Sequence, residues 1–148
     1  MDFLDPKKII DKLPIKEDFA VVDFGCGVGG WTVPLAKKAK KGTVYGIDIL
    51  KEPLSSLQGT LNREGISNVK LSIENIEEKI SISDEKIDLV LITNFLFQAE
   101  NKTKIFSEAK RILKKDGILV VVELFPENPI FKAIPKVFPE EIKDLANN

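Results

Sequence analysis

The chemistry of this sequence is concentrated in one loop. From Val21 to Trp31 the chain reads VVDFGCGVGGW, with glycines at 25, 27, 29 and 30 and a carboxylate, Asp23, two residues before the first of them. Glycines spaced this way after an apolar run let a backbone approach a ligand closely. Gly25-x-Gly27-x-x-Gly30 satisfies a dinucleotide-binding fingerprint, and Asp48 stands at the distance from which an acid holds a ribose. The neighbours argue against a pyrophosphate. Asp23 would face one and repel it, whereas it suits a ligand bearing positive charge. No Lys or Arg occurs from Val21 through Leu35, and no GKS or GKT follows the glycines, which excludes a P-loop. In the run IENIEE (73–78), Asn75 stands where a side-chain amide reaches an adenine edge, beside the apolar Ile76.

Composition removes other chemistries. The 148 residues include no histidine and a single cysteine, Cys26. An intramolecular disulfide, a zinc-thiolate cluster and a Ser-His-Asp or Cys-His mechanism are thereby excluded within one chain, and no metal site is expected. Cys26 itself reads as a small loop filler. A net charge of -1, with 43 % hydrophobic and 30 % charged residues, is ordinary for a globular protein and creates no field that draws it to nucleic acid or membrane. The opening MDFLDPKKII is no signal peptide, and runs such as LVLI and ILVVV are too short to span a bilayer, so a reducing cytoplasm is the expected setting. The length suits a single domain over residues 1–148.

The loop needs a scaffold, and the patterning supplies one. Asp5-Pro6 begins a helix to about Lys12, with Ile9, Ile10 and Leu13 inward. FAVVDF (19–24) is a continuous apolar run, suited to a strand buried on both faces. Further strands are expected at TVYGID (43–48), NVKLSI (68–73), KIDLVLIT (86–93) and GILVVVEL (117–124), with helices over 29–40, 51–64 and 101–115. Strands alternating with helices imply βαβ units and a parallel sheet, whose ligands bind beyond the carboxyl ends of the strands. The lysines of AKKAKKG (36–42) are expected to complement a helix C-terminus. Trp31 is expected to pack at a helix start.

With those pieces in place, the chain resembles a class I, Rossmann-like S-adenosylmethionine (SAM) dependent methyltransferase of the small bacterial and archaeal type. VVDFGCGVGGWTVPLA is similar to the first motif of that family, VYGIDI to the second, IDLVLITNFLF to the fourth-strand motif and AKRILKKDGILVVVE to the helix and strand that follow. The resemblance spans roughly Phe3 to Leu124 and implies an α/β sheet of order 3-2-1-4-5. It also implies roles. Asp23 with Gly25, Cys26, Gly27 and Gly29 would line the methionine portion of SAM. Asp48 would take both ribose hydroxyls, and Ile49 and Ile76 would sandwich the adenine. Asn75 stands where the family usually has Asp. Thr93 and Asn94 would lie beside the transferable methyl, with Asn94 one candidate for a catalytic role. NFLFQ (94–98) lacks both prolines of an Asn-Pro-Pro-Tyr box, so methylation of DNA bases is not favoured.

Methyl transfer asks little of side chains. If a proton must leave the acceptor, Glu123 at the end of strand five is the candidate base; the other reading is a solvated strand end. The family's last antiparallel strand pair has no counterpart after Leu124. Strand five is then an open edge: either the chain is a shortened one, or the edge is expected to be covered by the NPIFKAIPKVF segment, by a partner or by a second copy in a homodimer. The expected acceptor is a small molecule or a protein rather than a nucleic acid. Two alternatives stand beside this reading: a non-catalytic SAM-binding module and an NAD-dependent oxidoreductase.

Overall fold

The computed structural model describes residues 5–123, together with 143, 144, 146 and 147. Helix α1 (Pro6–Lys12) leads to strand β1 (Ala20–Phe24), α2 (Thr32–Lys38), β2 (Thr43–Asp48), α3 (Lys51–Glu64) and β3 (Val69–Ile73). Then come β4 (Ile87–Thr93), a 3-10 turn (Leu96–Gln98), α4 (Lys102–Ile112) and β5 (Leu113–Val122). The strands form one parallel sheet in the order β3-β2-β1-β4-β5, the order the family resemblance implies. Chain order reverses beside β1, so the crevice for a ligand opens between the ends of β1 and β4.

The two central strands explain the architecture. Val21, Val22 and Phe24 of β1 and Leu89 through Ile92 of β4 have no exposed surface, as befits strands covered on both faces. Successive side chains point to opposite faces, so the burial divides into two layers. On one side Val21, Leu89 and Leu91 meet Ile10 of α1 and Leu35 and Ala36 of α2, while Leu54, Leu57 and Leu61 of α3 pack around Cys26. On the other, Val22, Phe24, Val90 and Ile92 meet Ile105, Phe106, Ala109 and Ile112 of α4. Each fully buried Leu, Ile or Phe contributes roughly 1.5–3 kcal/mol through desolvation.

Local signals account for most of the boundaries. The Asp5 carboxylate accepts from Lys7 N at 3.0 Å with Pro6 next in line, and α3 stops at Gly65, left-handed at φ 66°. The lysine cluster is divided between two tasks. Lys38 donates to the Ile10, Asp11 and Leu13 carbonyls and so caps the C-terminus of α1, while Lys37 pairs with Glu64, and Lys40 and Lys41 pair with Glu17. Between β3 and β4 no helix forms. The segment 74–86 is instead fastened to α4 by Arg111, which donates to the Ile80 and Ile82 carbonyls and to the Asp84 and Glu108 carboxylates.

Two expected boundaries are corrected. The helix expected over 29–40 runs only over Thr32–Lys38, because Gly29 at φ 91° still belongs to the loop. The helix over 101–115 ends at Ile112, and β5 begins at Leu113 rather than Gly117. Leu113 is extended and pairs with Ile87, yet the next registered pair is Leu89 with Ile118. The extra residues of LKKDG fold back on themselves: a Cβ on Gly117 would stand 2.9 Å from the Lys114 carbonyl. Burial of Leu113 against the α4 layer outweighs the helical propensity of the two lysines that follow. Among the described residues β5 is an edge strand. The expected NPIFKAIPKVF cover lies outside the described residues, as does most of the expected terminal helix; residues 143, 144, 146 and 147 are helical and exposed.

Candidate functional site

The glycine loop is laced to the end of β2 by backbone hydrogen bonds. Gly25 N and Cys26 N both donate to the Ile47 carbonyl, at 2.8 and 3.0 Å. Gly27 N donates to Asp48 Oδ2 at 2.9 Å, and Leu50 N donates to Asp48 Oδ1 at 3.0 Å. Asp48 is therefore no cap of α3, whose N-cap position is Leu50. Its carboxylate is a fixed bridge between the glycine loop and the β2–α3 turn, with lone pairs still free to accept from a ligand. Two glycines are sterically required. Gly29 sits at φ 91° with Leu57 Cδ1 only 2.2 Å from where a Cβ would be, and Gly25 sits at φ 70° with Phe95 Cδ2 at 2.5 Å. The first lets the loop press onto α3, and the second lets the Phe95 ring lie across the loop.

Beyond these elements is a cleft of about 540 Å3, within the range of small-molecule sites. Gly25, Gly27, Asp48, Ile49, Asn75 and Ile76 line it. Ile49 is 58 % exposed, a large apolar side chain presented to the cleft, whereas Ile76 is 4 % exposed and anchored in the α4-side core. The Asn75 side chain closes an Asx turn by accepting from Glu77 N at 2.9 Å, so it serves as turn former and cleft wall together. Patterning did not bring forward Glu74, Glu77, Phe95, Gln98 and Glu100, which also line the cleft. The acidic run around Asn75 was the available signal for the first two. Asp48, Glu74, Glu77 and Glu100 give the lining four carboxylates, and no Lys or Arg stands among its described residues.

The other expected residues lie outside that lining. Cys26 packs its thiol among Leu54, Leu57 and Leu61, and burial raises its pKa, which makes it unreactive. Gly29 is buried against α3. Thr93 is 8 % exposed at the end of β4. Asn94 is exposed and left-handed at φ 47°, its amide donating to the Val122 carbonyl. Glu123 is 6 % exposed rather than a solvated strand end; its Oε1 accepts from Phe95 N at 2.8 Å and Leu96 N at 2.6 Å.

Asp23 lies at the end of β1, 1 % exposed. Its Oδ2 accepts from the Thr32 hydroxyl at 2.7 Å, while Oδ1 is buried with no hydrogen-bond partner. Burial pushes its pKa up to about 7; the Thr32 hydrogen bond opposes the rise and the Asp48 carboxylate adds to it. An orphaned carboxylate oxygen at this edge calls for a donor or a cation. Among the described residues no group of three or more Asp, Glu, Cys or His comes together to hold a metal ion. No helix among them is long and apolar enough to cross a membrane.

A doubly wound parallel sheet thus carries a glycine-walled, carboxylate-rimmed cleft beyond the ends of its strands. The chain belongs to the methyltransferase-domain family, whose model matches residues 15–147. Demethylmenaquinone methyltransferase of Lactobacillus johnsonii is 28 % identical over 158 residues, covering 96 % of this chain and 61 % of that protein. The enzyme of the same name from Bacillus velezensis is 30 % identical over 128 residues, covering 83 % and 54 %. The chain thus spans between half and two thirds of the length of these relatives. Others are named for ribosomal protein L11 and for a 23S rRNA uracil. The crystal structure of a SAM-dependent methyltransferase from Aquifex aeolicus superposes with a TM-score of 0.77 at 28 % identity, covering 84 % of this chain and 66 % of that one. The fold is that of class I SAM-dependent methyltransferases, and SAM is the cofactor of the family.

Proposed function

We propose that this chain binds SAM in the cleft and transfers its sulfonium methyl to a small-molecule acceptor. The observation that carries the reading is the charge of the described lining: four carboxylates and no base among the described residues. A dinucleotide would bring its pyrophosphate into a field of like charge, whereas an adenosyl sulfonium with an ammonium group is drawn in. The residues fit that cofactor. Asp48 is oriented by two amides to accept ribose hydroxyls. Ile49 and Ile76 offer apolar surface for the two faces of an adenine, with Asn75 at its edge. The bare backbone at Gly25 and Gly27 admits the methionine portion, and the unpartnered oxygen of Asp23 supplies negative charge beneath it.

Bound there, SAM supplies a methyl group already activated by the sulfonium, so the protein's share of the work is alignment and exclusion of water. The demethylmenaquinone relatives support a small acceptor, and the acidic rim opposes a polyanionic one. The test is incubation with methyl-tritiated SAM and a panel of quinone, phenol, amine and protein acceptors. Label transferred to a small molecule with matching release of S-adenosylhomocysteine supports the reading. Tight S-adenosylhomocysteine binding without turnover on any acceptor would favour the non-catalytic module instead.

A further inference from the structure

The chain turns sharply after β4. Asn94 N donates to the Val122 carbonyl at 2.8 Å, which keeps the ends of β4 and β5 abreast, and Asn94 then takes a left-handed conformation at φ 47°. The turn leaves two consecutive amides, those of Phe95 and Leu96, facing the end of β5. Glu123 meets them there: one carboxylate oxygen accepts both, at 2.8 and 2.6 Å, in a side chain that is 6 % exposed. Leu96 is fully buried, so its amide has no route to water, and without the carboxylate it would lose its partner. Beyond the clamp the Phe95 ring reaches the glycine loop, where its Cδ2 stands 2.5 Å from the place of a Cβ on Gly25. Phe95 and Gln98 are cleft residues, whereas Glu123 is not.

We propose that Glu123 is the positioning residue of the β4-side wall of the cleft: its buried carboxylate clamps the Phe95 and Leu96 amides and thereby sets the Phe95 ring against Gly25. Its Oε1 is engaged by two N–H groups and the residue stands outside the cleft lining, so its task is to hold the loop rather than to take a proton from a ligand in the cleft.

The inference rests on the SAM reading only for its ligand, and the probe is S-adenosylhomocysteine. Calorimetry compares wild type with Glu123→Gln, Glu123→Ala, Phe95→Ala and the double variant Glu123→Ala/Phe95→Ala. Glu123→Gln keeps an oxygen on the same two amides and is expected to bind within about twofold of wild type, whereas Glu123→Ala is expected to bind at least fivefold more weakly. If Glu123 acts through Phe95, the double variant binds no worse than Phe95→Ala, since residues acting through one another are not additive. Amide exchange read by NMR should quicken at least tenfold at Phe95 and Leu96 in Glu123→Ala while the α4 amides hold. Should Glu123→Ala not fold, Glu123→Asp, a methylene short of the amides, is read against Glu123→Gln in its place. Equal losses in Glu123→Gln and Glu123→Ala, additive losses in the double variant, or unchanged exchange at the two amides would overturn the proposal. A wild type that ignores S-adenosylhomocysteine would overturn the SAM reading instead, and amide exchange would then decide the clamp alone.

Discussion

The two halves of the cleft are built differently. On the β2–β3 side several polar wall residues are tied to nearby backbone, Asp48 to Gly27 and Leu50, Asn75 to Glu77 and Glu74 to Ser81, while Glu77 accepts from the Asn101 amide at the start of α4. The segment that follows is pinned in turn by Arg111 and Glu108 of α4. On the β4–β5 side the wall is a single turn, residues 94–98, hung from β5 through the Val122 carbonyl and Glu123. The first half is preorganised for a ligand of fixed shape, as a nucleoside is. The second hangs from β5 through one carbonyl and one side chain.

The largest effect should come from the seam between the halves and the core. Gly29→Ala puts a Cβ against Leu57 at a positive φ, and it is expected to cost about 3 kcal/mol of stability, the sum of backbone strain and overpacking. Urea denaturation would check this; a loss under 1 kcal/mol would mean the loop does not bear on α3. Next, Asp48→Ala should weaken S-adenosylhomocysteine binding by roughly 1–3 kcal/mol, because it removes acceptors for the ribose and frees the Gly27 amide. Asn94→Ala on the opposite side should change the same constant by less than threefold. Equal losses for the two would erase the distinction between the halves.

Asp23 yields a pH-dependent difference between free and bound protein. Its folded pKa of about 7 lies above the ordinary value of 3.8, so between those values the folded state holds more protons than the unfolded one. Its contribution to stability therefore falls as pH rises through that window, by roughly 1.4 kcal/mol per unit at most, and the cost is complete above about pH 7. Asp23→Asn should accordingly make the ligand-free protein more stable than wild type at pH 8 and leave the two closer at pH 4. The same substitution should weaken SAM binding. Thermal melts at both pH values would test this, and a variant less stable than wild type at pH 8 would assign Asp23 a structural task.

Sequence patterning reaches the β2–β3 half of the cleft more readily than the β4–β5 half, for a physical reason. The glycines, Asp48 and the α3 boundaries are written in consecutive residues, each with its own local signal: conformational freedom, strand end, apolar period and left-handed stop. The acidic rim joins Glu74 and Glu77 to Glu100, which reaches the cleft only through the fold. The clamp joins Glu123 to amides nearly thirty positions earlier in the chain, |i−j| of 28 and 27, and backbone donors carry no signature in side-chain sequence. The α4–β5 boundary was misjudged for a related reason. Leu113 continues the apolar period of the helix, and only its pairing with Ile87 shows that it belongs to the sheet.

The charge of the lining is tested most directly by titrating the protein with SAM and, separately, with NADH in an isothermal calorimeter at pH 7.5. Saturable heat with SAM and none with NADH is expected from four carboxylates and no base among the described lining residues. Binding of NADH with SAM ignored would contradict the assignment of the cleft to a cationic nucleoside.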